Sequence, residues 1–185
     1  MSRFALILFF AASTLAQTRE ITPFAGLSAG GKLEIDNEEQ ALASAPVFGA
    51  MLSFDRGRGR MLDFVVAHEE TSVATADVSV TVLHAGGRYF LRREQRTMPY
   101  IAATLGGTRV ASGNAEAIQF SFAGGLGADI RLGPRMALRL DGRLYTTLFG
   151  DRAEFECRDV GVCVTGISGD LFQQFIGSAG LAIRF

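Results

Sequence analysis

GDLFQQFIGSAGLAIRF, Gly169 to Phe185, alternates. Taking every second residue back from Phe185, one face is Phe185, Ile183, Leu181, Ala179, Gly177 and Phe175. The other is Arg184, Ala182, Gly180, Ser178, Ile176 and Gln174. Successive side chains of a β-strand leave from opposite faces, so this stretch reads as a strand with one apolar face and one smaller, more polar face. A strand of this kind needs partners, and the chain upstream supplies seven more.

The first, Glu20 to Gly30, sets Ile21, Pro23, Ala25 and Leu27 against Glu20, Thr22, Phe24, Gly26 and Ser28. The second, Val47 to Asp55, opposes Phe48, Ala50, Leu52 and Phe54 to Gly49, Met51, Ser53 and Asp55. The third, Arg60 to Glu69, carries Leu62, Phe64 and Val66 opposite Asp63. The fourth, Asp77 to Leu91, changes phase between Val82 and Leu83, which predicts a bulge. The fifth runs from Met98 to Ala111, the sixth from Phe120 to Leu132 in one unbroken phase, and the seventh from Met136 through Tyr145. Short polar turns (Arg56 to Gly59, Arg92 to Thr97, Gly133-Pro134) alternate with other connections, of which Gly31 to Ala45 and Gly150 to Ser168 are the longest. Gly31 to Ala45 is acidic and without sustained period, and is expected to be a loop.

Composition agrees with this reading. The 185 residues are 48% hydrophobic with 22 glycines, yet no apolar run approaches the ~20 residues of a spanning helix. The 18 basic and 19 acidic residues give a formal charge of −1 with no block of like charge, so nothing along the chain suggests nucleic acid or a polybasic membrane-surface contact. At the start, Arg3, the apolar Phe4 to Ala12 and the small-residue exit Ser13 to Ala16 have the layout of a secretory signal. Residues 1–16 are thus expected as a cleaved leader and 17–185 as the barrel domain. The apolar core is too short for a retained anchor, and no cysteine follows it for lipid attachment.

Cys157 and Cys163 sit six apart in a Gly-, Asp- and Arg-containing segment. In an exported chain such a pair reads as a disulfide, worth roughly 2–2.5 kcal/mol for so short a ring. Metal is the competing reading, but a structural zinc takes about four ligands, and His68 and His84 lie far off in sequence. Neither a metal nor any other cofactor is expected.

Alternation alone does not separate a membrane barrel from a lipocalin-like one, which turns its apolar face inward. Three features favour the membrane. The polar face of the sixth strand is built of Ser, Ala and Gly beside Asp129 and Arg131, which suits a narrow eight-stranded interior. Short turns lie at one end and longer connections at the other, with both chain ends on the short-turn side. The terminal Phe185 follows an export signal. The inward charges are then Asp55, Asp63, Asp129, Arg131, Arg139, Asp141 and Arg143, with Glu20 and Arg184 near the lower rim. Unpaired charge in that space is costly, so Asp63, Asp129, Arg131, Arg139, Asp141 and Arg143 are expected to form an internal ion-pair network that plugs the lumen. A narrow channel for small or apolar solutes is the alternative.

An outer-leaflet enzyme would need a nucleophile beside a general base. His68 is expected near the upper end of the third strand and His84 lower on the fourth, neither with an evident serine and carboxylate at its height. The glycines of GLSAGG, HAGG, LGG and GGLG fall within strands and do not open helices, so they hold no nucleotide.

The stretches ITPFAGLSAGG (Ile21 to Gly31), HAGGRYFL (His84 to Leu91), MPYIAATLGGTRV (Met98 to Val110), the cysteine pair and the closing strand together resemble the small outer-membrane β-barrels of OmpA, OmpX and OmpW type. The ending resembles the carboxy-terminal signal by which such barrels are recognised for insertion, carried here by Phe175, Leu181, Ile183 and Phe185. The resemblance implies an all-β, eight-stranded antiparallel up-and-down transmembrane barrel in the outer membrane of a two-membrane bacterium. Its partners would be membrane lipid and the assembly machinery. It carries no shared catalytic residues. Tryptophan is absent, so an aromatic girdle is expected from Tyr89, Tyr100, Tyr145 and phenylalanines.

Overall fold

The computed structural model describes residues 19–30, 32–35, 38–41, 44–73, 76–93, 95–112, 115–148 and 171–185. The expected leader and both cysteines lie outside them. The described residues form ten strands: β1 (Arg19–Ala29), β2 (Lys32–Ile35), β3 (Glu38–Ala41), β4 (Pro46–Asp55), β5 (Arg60–Val73), β6 (Ala76–Phe90), β7 (Thr97–Ser112), β8 (Ala115–Arg131), β9 (Met136–Leu148) and β10 (Leu171–Arg184). Eight of them close into a barrel in the order β1-β10-β9-β8-β7-β6-β5-β4, every neighbouring pair antiparallel. β1 is the closing strand, paired with β4 on one side and β10 on the other. Closure leaves no unpaired strand edge among the eight.

β2 and β3 form a separate hairpin between β1 and β4, where a loop was expected. Each is only four residues long, too short for its alternation to stand out in an acidic stretch. β4, β5, β7, β8 and β9 are longer than the sequence pattern indicates, reaching 17 residues in β8, while β10 is shorter than the expected Gly169 to Phe185. About 9–11 residues suffice to cross a bilayer.

The bulge expected in the fourth barrel strand is not there. β6 keeps one register against β5 from Arg60↔Tyr89 to Val73↔Ala76, and one against β7 from Ser79↔Ala111 to Phe90↔Tyr100. Val78, Val80, Val82, His84, Arg88 and Phe90 all point inward, while Leu83 and Tyr89 are exposed on the outside. The apparent slip arises because the upper interior is itself apolar, so the valines resemble an outer face. There Val47, Ala67, Val82, Ala123, Tyr145 and Ile176 pack together, with Phe24 against them.

The first short turn shows how a strand pair is reversed. Gly57, Arg58 and Gly59 have φ of 73°, 51° and 78°, in the left-handed region that glycine enters freely and arginine at a cost. Asp55 Oδ1 accepts the Gly57 N–H at 2.7 Å, and Arg60 N–H donates to the Gly57 carbonyl at 3.0 Å.

Candidate functional site: the barrel interior

The inward face of each strand follows from the two-residue period, and closure brings residues distant in sequence across the bore. Four carboxylates, Glu20, Asp63, Asp129 and Asp141, meet four guanidiniums, Arg88, Arg139, Arg143 and Arg184. Glu20 on β1 is fully buried and is the meeting point. Its Oε1 accepts from Arg88 Nη2 at 2.6 Å and from Arg139 Nη2 at 2.5 Å, and its Oε2 accepts from Arg184 Nε at 2.8 Å. Arg139 holds Asp129 on the neighbouring strand through two parallel bonds of 2.8 Å, and its Nη1 donates to Thr22 Oγ1 at 2.9 Å. Such a fork-to-fork pair is the stronger form of charge-assisted bond. Arg184 Nη2 also reaches Asp129 Oδ2 at 3.4 Å.

Asp141 and Arg143 form a second group on β9, with bonds of 2.7 and 3.2 Å, and Tyr100 Oη donates to Asp141 Oδ2 at 2.6 Å. The guanidiniums of Arg88 and Arg139 lie 5.5 and 5.9 Å from the centre of the Tyr100 ring. Gly127 is what lets this ring in, because a Cβ there would overlap Tyr100 and the Leu140 carbonyl. Asp63 is also fully buried, but neither oxygen has a hydrogen bond; its nearest cation is Arg88 Nε at 3.5 Å.

Apolar layers lie on either side of the charges. Toward the short turns, Met61, Phe90, Met98, Tyr100 and Ala102 pack together. Toward the long connections is the Val47 cluster, and between it and the charges a cavity of about 10 Å³ is lined by Phe24, Met51, Val65, Arg143 and Tyr145 among others. That is room for about one water molecule. Beside Tyr145 runs a polar chain: His84 Nδ1 is 3.0 Å from Thr104 Oγ1 and His84 Nε2 is 2.6 Å from Ser121 Oγ, to which Thr108 donates at 2.8 Å. Further up, Gln174 on β10 donates across the bore to Glu69 on β5.

Of the charges expected in the lumen, Asp63, Asp129, Arg139, Asp141 and Arg143 stand in this interior. Arg131 sits exposed at the short-turn rim, near the Arg93 carbonyl and Met98 Sδ. Asp55 pairs there with Arg93 at 3.1 Å. Arg88 and Glu69 escape the sequence reading. Arg88 was hidden by the apparent phase slip, and only an unbroken period through β6 exposes it. A serine does lie at the height of His84, contrary to expectation, but Thr104 rather than a carboxylate occupies the other ring nitrogen. His68 faces outward, 2.9 Å from Thr81 Oγ1 and 3.8 Å from Glu70.

No family model matches this chain, and no curated protein matches it. Solved structures do. The chain is similar to Neisserial surface protein A at 13% identity and a TM-score of 0.66, covering 91% of this chain and 97% of that one. Pseudomonas aeruginosa OprG gives 13% identity and a TM-score of 0.55, covering 92% and 96%. The N-terminal β-barrel domain of Pseudomonas aeruginosa OprF gives 11% and 0.51, covering 91% and 97%. The fold is that of the small outer-membrane barrels.

In a transmembrane barrel the outer surface is the apolar one, and here Leu27, Phe48, Phe64, Leu83, Leu105, Phe120, Leu126 and Phe175 are exposed on it. A soluble lipocalin-like barrel would reverse this arrangement. Phe175, Ile183 and Phe185 are exposed on the same outer surface, with Leu181 half-buried. The expected tyrosine girdle is corrected: Tyr100 and Tyr145 point inward, and Tyr89 alone of the three faces out. Their hydroxyls had polar partners to find inside, and the alternation of β7 and β9 puts them there.

Proposed function

We propose that this chain is a non-enzymatic outer-membrane barrel whose interior is a brace rather than a passage, and whose long connections carry any contact function at the cell surface. The observation that carries this reading is the ion-pair cluster on Glu20, Arg139 and Asp129, which ties β1, β6, β8, β9 and β10 together across the bore. Buried charges at such distances hold one another in place, since separating them strands charge in a low-dielectric space. The exposed apolar belt supports a lipid surround. His84 and Ser121 lie within the packed interior, away from any substrate entering from either side.

The same reading makes residues 1–16 the export signal and the closing strand, through Phe175, Leu181, Ile183 and Phe185, the segment handled by the assembly machinery. It makes Cys157–Cys163 a disulfide bracing the last long connection. Alkylation without reductant should then leave both thiols unmodified. The decisive experiment joins two measurements on the purified barrel in detergent. A gel shift that depends on boiling is expected for a membrane barrel, and planar-bilayer recordings are expected to stay at the leak level. Steady unitary conductance would replace the brace with a channel, and a chain that is soluble without detergent would remove the membrane reading.

A further inference from the structure

The formal charge of −1 conceals a strongly bipolar molecule. Closure of the barrel collects three turns, 55–60, 91–97 and 131–135, at one end. They hold eight arginines, Arg56, Arg58, Arg60, Arg92, Arg93, Arg96, Arg131 and Arg135, against the carboxylates Asp55 and Glu94. Arg19 and Arg184 join them from the first and last barrel strands. In sequence, the connections between barrel strands at the opposite end carry nine carboxylates against three cations. The charges are scattered along the chain, and only the topology sorts them.

The ion pairs described at the basic end engage Arg93 with Asp55, and Arg184 with Glu20 and Asp129. Arg56, Arg58, Arg60, Arg92, Arg96 and Arg135 are exposed. Their neighbours include large apolar side chains that are also exposed: Leu91 at 57%, Leu132 at 56% and Phe185 at 65%. Tyr89, cross-strand partner of Arg60, is exposed as well. Guanidiniums interleaved with leucines and aromatics match a lipid headgroup layer, where the apolar groups enter the acyl boundary and the cations meet phosphates. The use of arginine throughout favours the forked contact that a phosphate offers.

From this we propose that the short-turn end is a binding collar for anionic phospholipid headgroups of the periplasmic leaflet. The inference rests on the membrane-barrel reading above. Peptidoglycan, also anionic, fits less well because it offers nothing to Leu91, Leu132 and Phe185.

The test uses the folded barrel in zwitterionic detergent, with native mass spectrometry counting retained lipid. Dihexanoyl-phosphatidylglycerol should be retained over dihexanoyl-phosphatidylcholine, released at high salt, and not displaced by inorganic phosphate at equal concentration. The variant R56Q/R58Q/R92Q/R96Q/R135Q should lose this preference by roughly tenfold or more. Its boiling-dependent gel shift should be unchanged, which separates loss of lipid from loss of fold. Equal retention of the two lipids by a heat-modifiable barrel overturns the collar alone. An unchanged preference in the variant does the same, as does arginine-dependent cosedimentation with purified peptidoglycan sacculi in place of lipid selectivity. A wild-type chain with no heat shift overturns the barrel reading and the collar with it.

Discussion

Arg139 concentrates the interior's electrostatics in one side chain. It touches Glu20, Asp129, Thr22 and the Met51 sulfur while only 2% exposed. Arg139→Leu should therefore destabilise the barrel by about 3–5 kcal/mol, since two buried carboxylates lose a partner. The urea midpoint of the heat-modifiable band measures this. Adding Asp129→Asn should cost less than the two single changes together, because the residues share one interaction. Asp63→Asn should cost less than Asp129→Asn, because Asp63 accepts no hydrogen bond; the reverse order would contradict the assigned geometry. Tyr100→Phe removes a bond to a charged acceptor and should cost about 1.5–3 kcal/mol in the same assay.

Among the elements, β6 separates what could be read from what could not. The sixth barrel strand, β8, kept a clean two-residue period because its inward residues from Ser121 to Asp129 are small or charged. In β6 the inward residues change from Val78, Val80 and Val82 to His84 and Arg88, so polarity no longer marks direction. An interior with apolar layers around a charged one defeats a polarity rule even where the period is perfect. The charges at the centre, Asp129, Arg139, Asp141 and Arg143, were legible because two adjacent strands carry them on one face. Glu20 was legible only as a rim residue, since its role depends on Arg88 and Arg139 from strands 68 and 119 residues away. The register of β6 has a direct test. In a Cys157→Ser, Cys163→Ser background, a fluorophore on Leu83→Cys should be quenched by lipid-attached quenchers, and one on Val82→Cys should not. Quenching at both positions would restore the bulge.

At the scale of the molecule, the barrel presents apolar side chains outward and keeps much of its polarity inside and at its two ends. The ring of backbone pairing and the cross-bore ion pairs supply order of different kinds. Neighbouring strands can pair as the sheet grows, but Glu20 on β1 comes beside Arg139 on β9 through β10, once β1 and β10 have joined. The contact of Arg139 with Glu20 is thus expected to be a late event in assembly. A late contact is absent from the transition state for folding, so its removal acts on the rate of escape from the native state rather than the rate of arrival. Arg139→Leu should fold into lipid vesicles at close to the wild-type rate yet unfold faster in urea. The charges that plug the bore would then act as a latch, setting how long a folded copy survives once the membrane has received it.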